Sequence, residues 1–296
     1  MLWESFGTST EPARGSVISS VSYADGYIMF STNDFYREGN ALIAVIDEEG
    51  EILWSWHIWL TDQPRGQIYY NGAGTMMDRN LGATSATPGD IGAQGLLYQW
   101  GRKDPFMGSS SSSPGMCVLA VSTGTWNVTS GEFTEFSPIS SINAKVEEHP
   151  TTFYTHTCLS NGSWTSTKTA YDPCPAGWRV PEGGENGVWA KALGTSSSVD
   201  LPNNRTNKGV DFTGIYGESE TIWYPNSGYR EGSNGTINNN GDSGLGYYWS
   251  CSPFEVNSAY AYSLYMSGGD TGGNVLSLSW DVRYHGFPVR CLKITD

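Results

Sequence analysis

The sequence predicts an α+β protein, in which a small β-hairpin or β-sandwich-like appendage precedes a larger domain with long loops and two short helices. Strand-like runs lie at both ends of the chain, and only two segments have the length and capping residues of a helix. The 37 glycines and the long Ser, Asn and Thr tracts make the chain too rich in loops for a helical bundle. We expect the appendage at residues 1–62 and the larger domain at residues 63–296.

The appendage is predicted to contain two β-hairpins. In the first, the runs 17–22 and 26–31 flank the turn residues Ala24-Asp25-Gly26. The second pairs residues 41–46 with residues 52–60, which alternate with the period of two that is typical of a strand. One predicted face of this strand is apolar and needs a cover, and it comprises Ile52, Trp54, Trp56, Ile58 and Leu60. The opposite face comprises Leu53, Ser55, His57 and Trp59.

The larger domain is predicted to contain helices near residues 90–100 and 185–193. Asp90 is a suitable cap for the first helix, and Gly194 can close the second. Long Gly, Ser and Asn tracts connect the other apolar pieces, and connections of this length are commonly functional or disordered. The chain then returns to strands, predicted at residues 246–251, 259–266, 275–280 and 287–294.

The charge of the chain argues against two classes of partner. It has 30 Asp and Glu residues against 16 Lys and Arg residues, which gives a net charge of −14. Nucleic acids are bound largely through Lys and Arg, and anionic lipids attract the same residues. No apolar run approaches the roughly 18 residues of a membrane-spanning helix. Few lysines and many Ser, Thr, Asn and aromatic residues favour an exported protein with no direct membrane span.

Several phrases of the larger domain resemble one protein family. They are Met77-Asp78-Arg79-Asn80-Leu81-Gly82-Ala83, then residues 95–106 (GLLYQWGRKDPF) and 171–181 (YDPCPAGWRVP), with 248–250, 259–260 and 286–291 near the end. In this order they resemble the Fibrobacter succinogenes major paralogous domain. The resemblance implies a C-type lectin-like fold whose long loops form the ligand surface. The hairpin at residues 39–59 is similar to the segment preceding this domain in fimbrillin-like surface proteins of Bacteroidales.

The resemblance implies a non-catalytic adhesin or ligand-binding protein at the cell surface or outer membrane. It extends to surface proteins whose C-terminal ends are diversified by retroelements, so ligand contacts are expected on the terminal face. Tyrosine offers a large contact area at low entropic cost there, while Ser and Asn adapt hydrogen bonds. The expected partner is a host or bacterial surface protein or a glycan. The implied binding residues are Tyr260, Tyr262, Tyr265, Asp270, Asn274, Ser277, Ser279, Asp281 and Tyr284.

Two other functions remain open at this point. The formylglycine-generating enzymes share the lectin-like fold, although their reactive cysteine pair is not evident in this chain. No Gly-x-Ser-x-Gly elbow is present either, so we expect no catalytic residues. The second alternative is a structural fimbrial subunit that uses the N-terminal hairpin as an assembly edge, and an unpaired strand within residues 17–60 would favour it.

No metal site or cofactor is expected, and Ca²⁺ is the one ion left open. Sugar-binding C-type lectins hold Ca²⁺ through phrases such as Glu-Pro-Asn and Trp-Asn-Asp. The corresponding phrases here each lack an essential oxygen, and they are Leu201-Pro202-Asn203, Tyr224-Pro225-Asn226 and Ser279-Trp280-Asp281. A Gly-rich loop is better interpreted as solvated turns than as a Ca²⁺ site, and its oxygen donors are Asn238, Asn240 and Asp242. His149 and His156 are spaced for neither a zincin nor a zinc finger, despite their neighbours Glu147, Glu148 and Cys158.

The five cysteines contain no C-x-x-C pair, which argues against a structural zinc site. Cys174 and Cys291 lie within the family phrases, and the resemblance implies a disulfide between them. Cys251 stands where the family often has Ser, so it is the candidate for the unpaired thiol. Buried ion pairs or stacking on aromatic rings are expected for the charged framework residues, which are Arg79, Arg102, Asp104, Arg179 and Arg290.

Overall fold

The computed structural model is built mainly from β-strands, which contain 40% of the residues, whereas helices contain 7%. The α+β prediction, with its lectin-like arrangement of helices around sheets, is therefore wrong, and the fold is largely β. The structure describes residues 1–8, 10, 12–108, 118–119, 134–135, 146–155, 163–195, 199–200, 205–206, 208–238, 244–267 and 274–295. In these ranges no helix has the length and apolar character needed to cross a membrane.

The segment of the first predicted helix forms a short turn followed by a strand, which partly explains the low helix content. Asp90 caps a helical turn as expected, and its side chain accepts a hydrogen bond from the Gly92 N–H at 2.9 Å. The turn is a 3₁₀ turn, however, and it ends at Ala93. Gly95 then adopts a φ of +73°, and the next residues form a strand that pairs with residues 286–288. Pairing with a distant segment thus overrides the local helical preference.

The second predicted helix is present but short. Helix α1 (Val188–Leu193) ends at Gly194, which adopts the left-handed conformation at φ 68°. The 3₁₀ turns are Tyr70–Gly72 and Ile91–Ala93, and residues 146–148 are also helical. Before α1, the described strands are β1 (Trp3–Ser5), β2 (Ile18–Ala24), β3 (Tyr27–Thr32), β4 (Gly39–Ile46), β5 (Ile52–Leu60), β6 (Gly66–Tyr69), β7 (Gly74–Met77), β8 (Leu97–Gln99), β9 (Val118–Leu119), β10 (Thr134–Glu135), β11 (Tyr154–Thr155) and β12 (Trp178–Arg179).

After α1, the described strands are β13 (Val199–Asp200), β14 (Arg205–Thr206), β15 (Gly209–Asp211), β16 (Trp223–Pro225), β17 (Tyr229–Arg230), β18 (Ile237–Asn238), β19 (Gly246–Pro253), β20 (Tyr260–Met266), β21 (Asn274–Val282), β22 (Gly286–Pro288) and β23 (Leu292–Lys293). Four of the sheets have four strands, in the orders β5-β4-β1-β9, β12-β23-β7-β6, β13-β21-β20-β19 and β18-β17-β22-β8. The smaller sheets are β14-β15-β16, β2-β3 and the parallel pair β10-β11. Pairing of β7 with β23 and of β8 with β22 joins the start of the larger domain to its end.

The side chains of strand β5 do not divide between a buried face and an exposed face as predicted. Ser55, His57 and Trp59 point into the protein; Ser55 is buried, and Trp59 Nε1 donates to the Ala83 carbonyl at 2.9 Å. Trp56, assigned to the apolar face, is 38% exposed. A register shift near the start of β5 breaks the simple alternation of the pair, as a bulge does. Two members of the predicted apolar face, Ile58 and Leu60, are covered by a small cluster of Phe6, Val17, Ile18 and Ala41.

Two larger hydrophobic clusters form the core. The first contains four buried tryptophans, which are Trp3, Trp100, Trp164 and Trp249. Trp3 comes from the N-terminal segment, so residues 1–62 share this cluster with the rest of the chain. The second cluster lies around helix α1 and is rich in tyrosine; it includes Tyr69, Tyr216, Tyr224 and Tyr248.

A disulfide links the two ends of the larger domain. Cys174, just before β12, is bonded to Cys291, just before β23, and 117 positions separate them. Cys251 is a free, buried cysteine. The framework arginines use both predicted modes: Arg290 lies over the Tyr224 ring, 3.8 Å from its centroid, whereas Arg79 forms ion pairs with two aspartates, Asp62 and Asp78. Arg102 lies over the rings of Phe106 and Tyr154, Asp104 pairs with Lys103, and Arg179 pairs with Glu182.

Candidate ligand-binding site

The predicted binding residues lie on or beside strands β20 and β21 of the terminal sheet. Tyr260, Tyr262 and Tyr265 are on β20; Asn274, Ser277, Ser279 and Asp281 are on β21; Tyr284 follows β21. Asn274 is exposed, and most of the others are half-buried. Ser277 is only 1% exposed, so its side chain is not available to a ligand in this structure. Asp270 lies outside the described residues.

These residues do not form a single surface. Side chains alternate along a strand, so Tyr262 and Tyr265, three positions apart, point to opposite faces of the sheet. Tyr262 lies opposite Trp280 in the β20–β21 register. Tyr265 instead lies beside Tyr247 of β19, with 5.0 Å between the ring centroids. The predicted set therefore divides into an aromatic patch around Tyr262 and a tyrosine–histidine cluster around Tyr265.

The aromatic patch consists of Phe254, Tyr262 and Trp280. The rings of Phe254 and Trp280 are stacked, with 4.7 Å between their centroids and 7° between their planes. Phe254 also contacts Tyr262 edge to face, at 5.4 Å and 83°. Trp280 is 51% exposed, and the Tyr262 hydroxyl donates to Glu255 Oε2 at 2.9 Å. Mutual packing thus holds three aromatic rings in place at the surface, which lowers the entropic cost of binding.

A glycine loop at residues 182–187 supports this patch. The Gly183 N–H donates to Ser252 Oγ at 3.1 Å, and Ser250 Oγ donates to the Tyr262 carbonyl at 2.7 Å. A Cβ atom at Gly183 would overlap both Ser250 and Tyr262. Gly184 has a φ of +82°, and a Cβ there would lie 3.3 Å from the Tyr262 ring. The loop can therefore pack against Tyr262 only because these two positions lack side chains.

The tyrosine–histidine cluster consists of Tyr229, Tyr247, Tyr265, Asp281 and His285. The ring centroids of Tyr229 and Tyr247 are 5.2 Å apart, and those of Tyr229 and His285 are 5.5 Å apart. Burial, as the largest cause, raises the pKa values of Tyr229 and Tyr247. The Tyr229 hydroxyl has Glu231 and Asn238 as hydrogen-bond partners, and the Tyr247 hydroxyl has Tyr265, so these polar groups are already engaged within the protein.

His285 lies between two carboxylates, those of Asp281 in this cluster and of the neighbouring Glu231. The Gly232 N–H donates to His285 Nδ1 at 2.8 Å, so a neutral ring carries its proton on Nε2. Nε2 lies 3.3 Å from Asp281 Oδ1, and Glu231 Oε1 lies 3.4 Å from Nδ1. Burial raises the pKa of Asp281, while the charge of His285 opposes that shift. The two carboxylates face different nitrogens of the ring. They therefore do not converge on one point at which a metal ion could bind.

Two of the possible metal ligands named from the sequence, Asn238 and Glu147, have other hydrogen-bond partners. Asn238 Nδ2 donates to the Tyr229 hydroxyl at 2.9 Å, and Glu147 accepts a hydrogen bond from the Tyr171 hydroxyl. The described residues contain no group of three or more His, Cys, Asp or Glu side chains placed to hold a metal ion. Five other named positions, Asn203, Asn240, Asp242, His156 and Cys158, are outside the described residues.

The described residues also line two clefts. The larger, of about 760 Å³, is polar and includes Arg79, whose guanidinium is already paired with Asp62 and Asp78. The smaller, of about 520 Å³, adjoins the aromatic patch through Gly183. It is lined by three cationic side chains and one carboxylate, which are Arg179, Lys191, Lys293 and Glu182.

The sequence did not indicate a binding role for Phe254, Trp280, Gly183 or His285. Phe254 follows the end of β19, and only the packing of β20 against β21 places it beside Trp280. Gly183 belongs to a loop about 80 residues before Tyr262 in the chain, so no local pattern connects the two. His285 had one usable signal, since it follows Tyr284 at the end of the predicted terminal face.

The quoted phrases resemble the Fibrobacter succinogenes major paralogous domain, and that resemblance remains a prediction from the sequence. Comparisons with protein-family models, with curated proteins and with solved structures gave no match.

Proposed function

We propose that this protein is a non-catalytic adhesin, which binds a surface protein or glycan through the aromatic patch of its terminal sheet. The observation that carries the proposal is the packing of exposed Trp280 against the half-buried rings of Phe254 and Tyr262. Aromatic side chains of this kind supply much of the energy at binding hot spots. The proposal keeps the predicted binding role of Tyr262 and adds two residues that the sequence did not indicate.

The electrostatics of the chain favour contact by shape rather than by charge. With a net charge of −14, the protein is repelled at long range by acidic glycans and acidic cell surfaces. The three aromatic rings of the patch carry no charge themselves, although Glu255 accepts a hydrogen bond from Tyr262, and Trp280 offers an indole N–H to a ligand. The affinity is therefore expected to depend weakly on salt concentration.

The disulfide supports the exported location that belongs to this proposal. Disulfides persist in secreted and cell-surface proteins and are rare in the reducing cytosol. The Cys174–Cys291 bond is buried, since the two residues are 4% and 0% exposed. The proposed location is the cell surface or the outer membrane, with a host or bacterial partner.

A glycan-array and cell-binding comparison tests the role of the patch. The variant Tyr262→Ala/Trp280→Ala is expected to lose at least about tenfold in affinity, because truncating hot-spot aromatics costs roughly 2 kcal/mol or more. The matched control is Phe35→Ala/Tyr36→Ala, which removes two exposed aromatic rings outside the patch. The control should bind like the wild type.

A third variant separates the two faces of the terminal sheet. Tyr265→Ala alters the tyrosine–histidine cluster and leaves the patch residues unchanged. Retained binding in this variant, together with loss in Tyr262→Ala/Trp280→Ala, would assign the ligand to the patch. Equal binding by wild type and the patch variant would refute the proposal.

A further inference from the structure

The first hairpin of the chain is an isolated two-stranded sheet. Strands β2 and β3 pair with each other through the turn residues Asp25 and Gly26, which have φ values of 53° and 82°. Across the described ranges, no third strand pairs with β2 or β3. The hairpin therefore exposes unpaired backbone groups, which is the property that lets an edge strand pair with another chain.

The hairpin also exposes large apolar side chains. Tyr27 is 71% exposed and Met29 is 51% exposed, and the same holds to a similar degree for Tyr23 and Phe30. Natural edge strands are usually protected by Lys, Pro or inward-pointing charges. Asp25, in the turn, is the only charged residue between positions 16 and 33, and this segment contains no proline.

The base of the hairpin is firmly attached to the protein. Buried Glu4 accepts hydrogen bonds from the N–H groups of Gly15, Val17 and Ile18, at 2.6, 2.9 and 2.7 Å. Ile18 is fully buried in the small cluster described above. The exposed strands thus extend from a fixed base, and pairing with another strand would require little ordering of the chain.

Strand β3 is the more open of the two edges. The chain enters β2 through this anchored base, whereas every residue of β3 except Ile28 is exposed. Its sequence from Tyr27 to Thr32 is short, uncharged and rich in residues that favour strands. An incoming strand would therefore meet neither a charge nor a covering element among the described residues of this edge.

We propose that β3 pairs with β3 of a second copy of this protein, in an antiparallel two-fold arrangement that extends two hairpins into one four-stranded sheet. Opposed side chains lie on the same face only when the two-fold axis passes through a residue position. With the axis at Met29, that residue faces its own equivalent, and Ile28 faces Phe30 of the second copy. Both opposed pairs are apolar.

The uncharged, apolar opposed pairs make this edge self-complementary, and this self-complementarity selects a second copy as the occupant. Two molecules of net charge −14 repel each other across most of their surfaces, and the hairpin is a segment where they can approach without that repulsion. A basic partner would be drawn to the acidic surfaces instead, and an acidic partner would find no cation in the hairpin. The pairing is independent of ligand binding by the terminal sheet, since none of the patch residues lies in the hairpin.

Analytical ultracentrifugation of the full chain over a range of concentrations tests this proposal. The wild type is expected to show a monomer–dimer equilibrium, and Tyr27→Lys/Met29→Lys should raise the dimer dissociation constant at least about 100-fold, because like charges would oppose each other across the interface. The control Ile68→Lys/Val256→Lys places the same two charges on exposed apolar residues outside the hairpin. It should dimerise less than tenfold more weakly than the wild type.

Three results would overturn the proposal: a monomeric wild type at all concentrations, a dimer that survives both hairpin lysines, or equal loss in the control. A cysteine variant tests the register without depending on the lysine variant. Under mild oxidation, Met29→Cys should form a disulfide-linked dimer, since opposed strand residues lie about 4.5–5.5 Å apart. Cross-linking no greater than that of exposed Val256→Cys would contradict the pairing centred on Met29.

Discussion

At the scale of single residues, Glu4 fixes a segment that follows it by 11 to 14 positions. Its carboxylate accepts three backbone N–H groups and is fully buried. Hydrogen bonds to a charged acceptor are stronger than neutral ones, and three of them compensate for the loss of hydration. The same contacts satisfy backbone donors that would otherwise be buried without partners.

Replacement of Glu4 by Gln should lower the free energy of unfolding by roughly 2–4 kcal/mol. The amide has one acceptor oxygen, and its NH₂ group would face backbone donors. Urea denaturation followed by tryptophan fluorescence measures the change. Exposed Glu51 provides the control, since Glu51→Gln should change the unfolding free energy by less than about 0.5 kcal/mol; equal stability of Glu4→Gln and wild type would contradict this role.

The sequence could not identify Glu4, because an acidic residue in a short strand is normally solvated. It did indicate Tyr262, since an aromatic residue among small polar residues on a strand is recognisable locally. Its neighbour Phe254 depends on strand register and loop position. The residue types at a binding surface can thus be predicted more readily than the particular residues that the fold brings into contact there.

At the scale of elements, strand β5 shows the limit of reading alternation from one strand. The strand itself lies where the pattern predicted it, at Ile52–Leu60. The register shift against β4 depends on the partner strand, so the pattern of β5 alone cannot reveal which side chains turn inward. In the same way, Asp90 was a correct cap, but pairing of β8 with the distant β22 made the following residues a strand.

His57 of strand β5 is half-buried and forms hydrogen bonds to residues of β4 and β8. The Asn40 amide donates to the Gly82 carbonyl at 2.8 Å, so Asn40 Oδ1 accepts from His57 Nε2 at 2.9 Å. Nδ1 then accepts from the Tyr98 hydroxyl at 3.3 Å. Burial lowers the pKa of His57 to about 3, and both partners match the neutral ring.

Stability should therefore fall as the pH falls from about 6.5 to about 3. In this window the unfolded chain binds a proton at His57 that the folded protein does not, so the free energy of unfolding decreases by up to about 1.4 kcal/mol per pH unit. Denaturation of wild type and His57→Gln at several pH values measures the slope of the unfolding free energy against pH. In the variant, this slope should correspond to about one proton fewer taken up on unfolding. Identical slopes, or an NMR titration of His57 near pH 6.5 in the folded protein, would contradict the prediction.

At the scale of the whole molecule, one bond joins regions that are far apart in the chain. The Cys174–Cys291 disulfide closes a loop of more than 100 residues. Closing such a loop restricts the unfolded chain and, in the loop-entropy estimate, stabilises the fold by about 4–5 kcal/mol. The resemblance indicated this pair, whereas spacing alone allowed every pairing among five cysteines.

The variant Cys174→Ala/Cys291→Ala is expected to unfold with a free energy lower by roughly 3–5 kcal/mol. Alanine leaves no buried polar group behind, so the change reports mainly the lost cross-link. Urea denaturation of both proteins measures the difference. An unchanged transition midpoint would show that the bond does not stabilise the fold.

Strand β19 carries a consequence for how the protein unfolds. Its adjacent residues Tyr248 and Trp249 belong to the two separate hydrophobic clusters. A slip of one position in this strand would turn each ring toward the wrong cluster, because side chains alternate between the two faces of a sheet. Displacement of β19 would therefore disrupt the packing of both hydrophobic clusters at once. We expect the two clusters to unfold in one cooperative transition and not one after the other.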